Sequence, residues 1–234
     1  MAEFGDFDIL CPGAGVYEPS WSSFWQPPGS EASRDAADSG RYAILDINLT
    51  HPVRATQLAL SHWLHPKSLS SRASPAHPKR IVHIASVAAQ VPVFRAPLYG
   101  ATKFAISGFV RSLGPDLEDR YGIRVNAVSP GVVRTPIWLE APDKLANIHE
   151  GEDAWITPGE VADVMLRCVQ GEEWKGGSVV EVGAKGRTRA VGVYDDPGPD
   201  RRAEAGLILH DDSAGVRQVH DWLVNEAVWG RAGE

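Results

Sequence analysis

Two side chains of complementary chemistry stand four residues apart in Tyr99-Gly-Ala-Thr-Lys103. On a helix, that spacing puts a phenol and an ammonium on one face, one turn apart. Thirteen residues before the tyrosine, Ser86 closes the run Ile81-Val-His-Ile-Ala-Ser86. The β-branched character of that run reads as a short buried strand with the serine at its C-terminal tip. A strand tip and a helix face can aim a hydroxyl, a phenol and an amine at one point. The chemistry open to such a trio is proton transfer at an oxygen. A tyrosine with its ordinary pKa of ~10 is a poor base at neutral pH. A neighbouring ammonium favours the phenolate and lowers that value, and the serine hydroxyl would hold a substrate oxygen within reach of the phenol.

The rest of the chain must position these groups. Its 234 residues are enough for one domain with a sizeable core, and 43% hydrophobic with 23% charged residues is ordinary for a soluble globular protein. A net charge of −7 argues against a general nucleic-acid or anionic-membrane binder. Cys11 and Cys168 read as reduced thiols in buried settings rather than as a disulfide framework. No basic segment followed by an apolar run opens the chain, and no stretch could span a bilayer. An intracellular, cytoplasmic protein is therefore expected. Histidines 62, 65, 77 and 83 lack a compact ligand pattern, so no metal site is read.

Taken in order, residues 6–15 are a strand-like apolar run ending in Gly13-Ala14-Gly15, a small-residue turn that lets backbone approach a ligand closely. Residues 16–41 read as a long loop with a flexible polar tail, its aromatics Trp21, Phe24 and Trp25 capping the core. Residues 42–64 have helical periodicity, with Pro52 interrupting the backbone ladder. The helix bearing Tyr99 continues to residue 121, with a kink or loosening expected at Gly114-Pro115. A strand from Ile123 to Val128 follows, ending in Pro130-Gly131. Residues 136–156 read as a lid, with Trp138, Leu139 and Trp155 as apolar contacts. Thr157-Pro-Gly-Glu160 has the order of a helix start: cap, proline in the first turn, glutamate at the third position. Residues 178–183 make a fourth strand, and an amphipathic helix begins at Ser213.

Ser86, Tyr99 and Lys103 resemble the serine and Tyr-x-x-x-Lys of the short-chain dehydrogenase/reductase family. The segment Pro130-Gly-Val-Val-Arg-Thr135 matches that family's Pro-Gly-x-Val-x-Thr, and Asn48 in Ile-Leu-Asp-Ile-Asn-Leu-Thr matches its catalytic asparagine. The resemblance implies an α/β fold with a Rossmann-like, doubly wound parallel sheet. It also implies hydride transfer between NAD or NADP and a secondary alcohol or ketone. Tyr99 would be the acid/base, Lys103 and Asn48 its relay through a bound water, and Ser86 the orienting group. Pro130, Gly131, Val133 and Thr135 would hold the nicotinamide carboxamide, Tyr99 and Lys103 its ribose side. Of the family's Asn-Asn-Ala-Gly turn only Ala14 and Gly15 match; Pro12 and Gly13 stand where the asparagines are usual.

The likeness covers roughly residues 4–185, with a tail similar to fungal relatives of hydroxyprostaglandin dehydrogenase. It divides the chain into a partial dinucleotide-binding domain, 1–186, and an extension, 187–234. The family's first strands and Gly-rich dinucleotide turn have no counterpart before Asp6. An open sheet edge at residues 7–11, association through it and severely weakened cofactor affinity are therefore expected. A catalytically inactive remnant serving as a binding module, or a truncated gene model whose genuine protein starts upstream, is the alternative. Small residues at Ala105, Gly108 and Ser112 imply, by resemblance, a homo-oligomer. The remaining partner is a small-molecule alcohol or ketone, with no nucleic acid, membrane or metal.

Overall fold

The computed structural model describes residues 6–140, 154–193 and 213–229. Four strands run parallel: β1 (Ile9–Leu10), β2 (Lys79–Ile84), β3 (Ile123–Pro130) and β4 (Val179–Val182). A fifth, β5 (Thr188–Ala190), returns antiparallel to β4, giving one sheet in the order β1-β2-β3-β4-β5. β3 is buried along its whole length, the mark of a parallel strand covered on both faces. Its register sets Ile81 opposite Val125 and Ile84 opposite Val128.

Between the strands run the helices. Residues 43–64 form α1, and Pro97–Tyr121 form α2. The short α3 (Pro136–Leu139) and α4 (Pro158–Gln170) follow β3. Helix α4 starts as its sequence dictates. The Thr157 hydroxyl accepts from the Glu160 N–H at 3.2 Å and the Glu160 carboxylate accepts from the Thr157 N–H at 2.7 Å. Such a cap stabilises a helix by about 1 kcal/mol. Val164 and Cys168 of α4 then pack on Val82, Val128, Val180 and Val182. Helix α2 lies against β3 and buries Ile106, Val110 and Leu117. The result is the parallel-dominated, Rossmann-like α/β arrangement expected, with the C-terminal strand ends converging on one crevice.

Contacts divide the described residues into two units, one within 1–56 and 73–191 and the other within 57–72 and 192–234. The second holds α5 (Ser213–Val224) and α6 (Glu226–Trp229). In it, His65 donates from Nε2 to the Leu223 carbonyl at 2.9 Å. No helix among the described residues is long and apolar enough to cross a membrane.

Several expectations are corrected. Helix α2 is continuous through Gly114-Pro115. The glycine is there for contact: a Cβ on Gly114 would lie 1.8 Å from the Gly177 nitrogen, so helix and loop backbones touch. The sheet extends past residue 186 into β5, whose three residues are too few to carry a periodic signal. β1 is two residues long rather than five, and among the described strands it pairs with β2 alone. Ile9 is 48% exposed, and Cys11 is exposed rather than buried, because no strand among the described residues pairs with the other side of β1. Phe24 and Trp25 do not cap the core; they are 52% and 46% exposed. Trp25 instead donates from its indole to the Phe94 carbonyl at 3.0 Å. The polar tail of that loop is a set of turns tied down by buried Asp35, which accepts from the Ser22 hydroxyl at 2.7 Å and the Ala43 N–H at 2.9 Å.

Candidate active site

The C-terminal ends of β1, β2 and β3 open into one cavity of about 440 Å³. Its wall includes Ala14, Gly15, Ser86, Tyr99, Lys103, Pro130, Gly131, Val133 and Thr135. These nine residues come from four separate stretches of sequence that nothing local holds together; the sheet register does. Ser86 sits two residues past β2 and caps a short 3₁₀ turn, Val87–Ala89, accepting from the Ala88 N–H at 3.2 Å. Its hydroxyl stands on the same cavity wall as the Tyr99 phenol and draws the phenol's pKa down. Tyr99 lies in the first turn of α2, and Lys103, one turn later, is buried with Nζ 5.5 Å from the Tyr99 ring centroid.

Asn48 stands behind this wall rather than in it. It falls in a π-helical stretch of α1, Asp46–Thr50, where the backbone distortion expected from Pro52 is found. Proline has no N–H to give the carbonyl four residues back, which is that of Asn48. The Asn48 side chain accepts from the Val16 N–H at 2.9 Å and donates to the Val16 carbonyl at 2.8 Å. It also donates to the Thr102 hydroxyl at 3.3 Å. It thereby staples the Gly13–Gly15 turn to the helix bearing Tyr99. The Pro130–Thr135 loop is braced separately: Gly131 N–H donates to the Val182 carbonyl at 3.1 Å, and Val133 bridges to Ile156. Trp138 of α3 reaches the site; residues 141–153 of the expected lid lie outside the described residues.

The electrostatics differ from expectation. Burial pushes the Tyr99 phenol above its ordinary pKa, the Ser86 hydrogen bond draws it down and the neighbouring Tyr17 raises it. Lys103 was expected to depress that value. Burial instead lowers Lys103 itself to about 8, and its ammonium donates to the Ile84 carbonyl at 2.9 Å. Two charged groups cannot both be cheap in a dry site, so the lysine proton loosens while the phenol keeps its own. His83 on β2 is fully buried and held neutral, lowered to about 4 by burial and then by the Lys103 charge. Its Nε2 lies 3.1 Å from the Thr56 hydroxyl, which itself donates to the Pro52 carbonyl at 2.9 Å.

Two neighbours of the trio escaped the sequence reading. Tyr17 places its ring 4.7 Å from that of Tyr99 and 5.1 Å from that of Trp138. Glu18 is buried, and its carboxylate accepts from the Ser23 hydroxyl at 3.0 Å, the Phe24 N–H at 2.9 Å and the Tyr99 N–H at 2.9 Å. The one available signal was their position directly after the Gly15 turn.

The arrangement can hold an oxygen between the Ser86 hydroxyl and the Tyr99 phenol and exchange a proton with it. Residues 1–146 match the family model for short chain dehydrogenases. The chain is 32% identical over 196 residues to the short-chain dehydrogenase/reductase FrzI of Cladobotryum sp, covering 77% of this chain and 65% of that protein. It is 30% identical over 155 residues to the L-fucose dehydrogenase of Bos taurus, covering 64% and 49% respectively. A solved 3-oxoacyl-(acyl-carrier protein) reductase with bound NAD from Brucella melitensis superposes with a TM-score of 0.53 at 28% identity, covering 77% of this chain and 63% of that one. The chain thus spans about half to two thirds of the length of these curated relatives. With more than half of its residues matched on a fold of the same kind, the chain belongs to the short-chain dehydrogenase family.

Proposed function

We propose that this chain carries the reactive half of an NAD(P)-dependent oxidoreductase site that interconverts a secondary alcohol and a ketone. The observation that carries the reading is that Ser86, Tyr99 and Lys103 share one cavity wall, with Lys103 Nζ 5.5 Å from the Tyr99 ring centroid. FrzI and the bovine enzyme are named as dehydrogenases or reductases, and the bacterial reductase holds NAD.

The wall suits the nicotinamide end of such a cofactor. A Cβ on Gly15 would come within 3.5 Å of the Asn48 side chain and 4.0 Å of Lys103 Nζ, so the bare backbone leaves room beside the lysine. Gly131 would meet Ile156 at 3.2 Å in the same way. Ala14, Gly15, Lys103, Pro130, Gly131, Val133 and Thr135 are the residues that would hold that end, with Tyr99 beside it. For the pyrophosphate, no strand entering a Gly-rich turn and a helix N-terminus stands beside β1 among the described residues. When bound, the nicotinamide supplies the hydride acceptor or donor.

The chain's own residues do the rest. Ser86 and Tyr99 orient the substrate oxygen. Tyr99, kept protonated by burial, gives its proton to the oxygen of a ketone as negative charge develops there, which favours reduction near neutral pH. Lys103 holds the nicotinamide side and loses its proton readily enough to restore the phenol, and Asn48 fixes the turn against which both work. A homo-oligomer of this chain, which the family resemblance implies, belongs to the same proposal and is checked by sedimentation.

Tyr99→Phe tests the reading. NAD(P)H-dependent ketone reduction should fall by about 10²–10⁴-fold with the unfolding midpoint unchanged, because one hydroxyl carries the proton. Unchanged turnover in the variant would remove Tyr99 from the chemistry.

A further inference from the structure

The cavity wall on the substrate side is more specific than the reaction it serves. Tyr17 begins it. The ring lies at 50° to that of Tyr99 and at 41° to that of Trp138, centroids 4.7 and 5.1 Å away, so three rings line the space next to the reacting phenol. Tyr17 is not on a loose loop. Val16 is bound through both its N–H and its carbonyl to the Asn48 side chain, and Glu18 is bound to the first turn of α2. The backbone is thus pinned on either side of Tyr17, and Arg95 covers its ring from 5.8 Å and donates to its hydroxyl at 3.4 Å.

Much of the remaining lining is aliphatic, Val91, Val93, Ile137 and Met165 among it. Among the described residues, no carboxylate, side-chain amide or imidazole lines the cavity. The polar side chains that do are Tyr17, Ser86, Tyr99, Lys103, Thr135 and Trp138. Three of these, Ser86, Tyr99 and Lys103, are committed to the reaction, and the Tyr17 hydroxyl is engaged by Arg95. Among the described residues a polyhydroxylated substrate would find few side-chain partners, whereas a flat ring would stack.

Building on the alcohol–ketone reading above, we propose that the substrate carries a flat, apolar aromatic ring next to its reacting carbon, and that Tyr17 and Trp138 form one face of the slot that accepts it. An apolar wall discriminates only modestly against added hydroxyls, so a preference of about 10–200-fold over a sugar is expected rather than an absolute one.

The test uses the chain as it stands, with acetophenone, cyclohexanone and L-fucose as probes. Binding is read by saturation-transfer NMR and by quenching of tryptophan fluorescence; turnover is read separately with NADH and NADPH. Acetophenone should bind at least about ten-fold more tightly than cyclohexanone or L-fucose, a contrast that needs no variant. Tyr17→Leu, which keeps bulk and removes the ring, and Trp138→Ala should each erase most of that preference. Equal or tighter binding of L-fucose, or acetophenone affinity unchanged in both variants, would overturn the slot. Acetophenone bound with this dependence but never reduced leaves the slot standing and defeats the oxidoreductase reading. L-fucose oxidised by a chain that does not take acetophenone does the reverse.

Discussion

The Glu18 carboxylate accepts the backbone N–H of Tyr99 at 2.9 Å across 81 residues of sequence. Tyr99 is the third residue of α2, so this carboxylate satisfies one of the N–H groups that a helix start leaves open, and it does so where the helix dipole favours negative charge. The same carboxylate holds Ser23 and Phe24. One buried side chain therefore sets the start of the helix and the loop carrying the Tyr17 wall. Glu18→Ala should cost about 1–3 kcal/mol of stability. It should also lower kcat, because Tyr99 loses its anchor. Glu18→Gln, which keeps acceptor capacity, should recover part of both. Urea unfolding and steady-state kinetics on the two variants measure this, and an Ala variant as stable as the parent would contradict it.

Lys103 and Ser86 should separate by role. Lys103→Met is expected to weaken both turnover and cofactor affinity, whereas Ser86→Ala lowers chiefly turnover, since its bond to the substrate oxygen strengthens as charge develops. A second consequence follows for pH. Lys103 falls to about 8 in the fold from an ordinary value of 10.5, so the folded chain binds fewer protons than the unfolded chain between those values. Stability should therefore be lowest below pH 8 and recover as pH rises toward 10.5. Lys103→Met should lack that recovery, a difference of about 2–3 kcal/mol between pH 7 and 10. Parallel curves for the two proteins would show that the lysine is not desolvated.

His83 gives the opposite flank. Its folded value of about 4 lies below the ordinary 6.5, so the unfolded chain takes up the proton first as pH falls. Its contribution is whole above pH 6.5 and is lost as pH drops through 4. Because the ring is fully buried, the loss should reach about 3 kcal/mol. Denaturant melts at pH 7, 5.5 and 4.5 should show it, and His83→Leu should be less stable at pH 7 yet flatter across this range. An equally steep acid limb in the variant would place the titration elsewhere.

Two glycines of α2 predict opposite outcomes from one substitution. Gly114 faces the Gly176-Gly177 backbone, and no movement of a side chain can make room for a Cβ there. Gly114→Ala should destabilise by about 3 kcal/mol or more. Gly108 is exposed and meets nothing within 4 Å. Gly108→Ala should stabilise by about 0.5–1 kcal/mol, because alanine restricts the unfolded chain more and suits a helix interior. Thermal melts of the pair decide it; destabilisation by both would mean that the Gly108 face is covered in solution.

What the sequence determined by itself was whatever depends on near neighbours. A four-residue spacing is a helical turn wherever it occurs, so Tyr99 and Lys103 had to share a face. Thr157-Pro-Gly-Glu160 had to cap a helix, and the β-branched run before Ser86 had to be a strand. Pro52 announced the disturbed backbone at Asn48 for the same reason, since the N–H it lacks belongs to one definite carbonyl. The tertiary structure alone decided the relations that cross the chain. Glu18 reaches Tyr99, Asn48 reaches Val16, and Gly114 touches Gly177, each through contacts between segments whose separation in sequence has no bearing on their distance. It also decided the electrostatics. A lysine beside a tyrosine reads as a charge that lowers the phenol, but burial acts on both groups, lowering Lys103 and raising Tyr99, and burial is a property of the packed fold rather than of spacing.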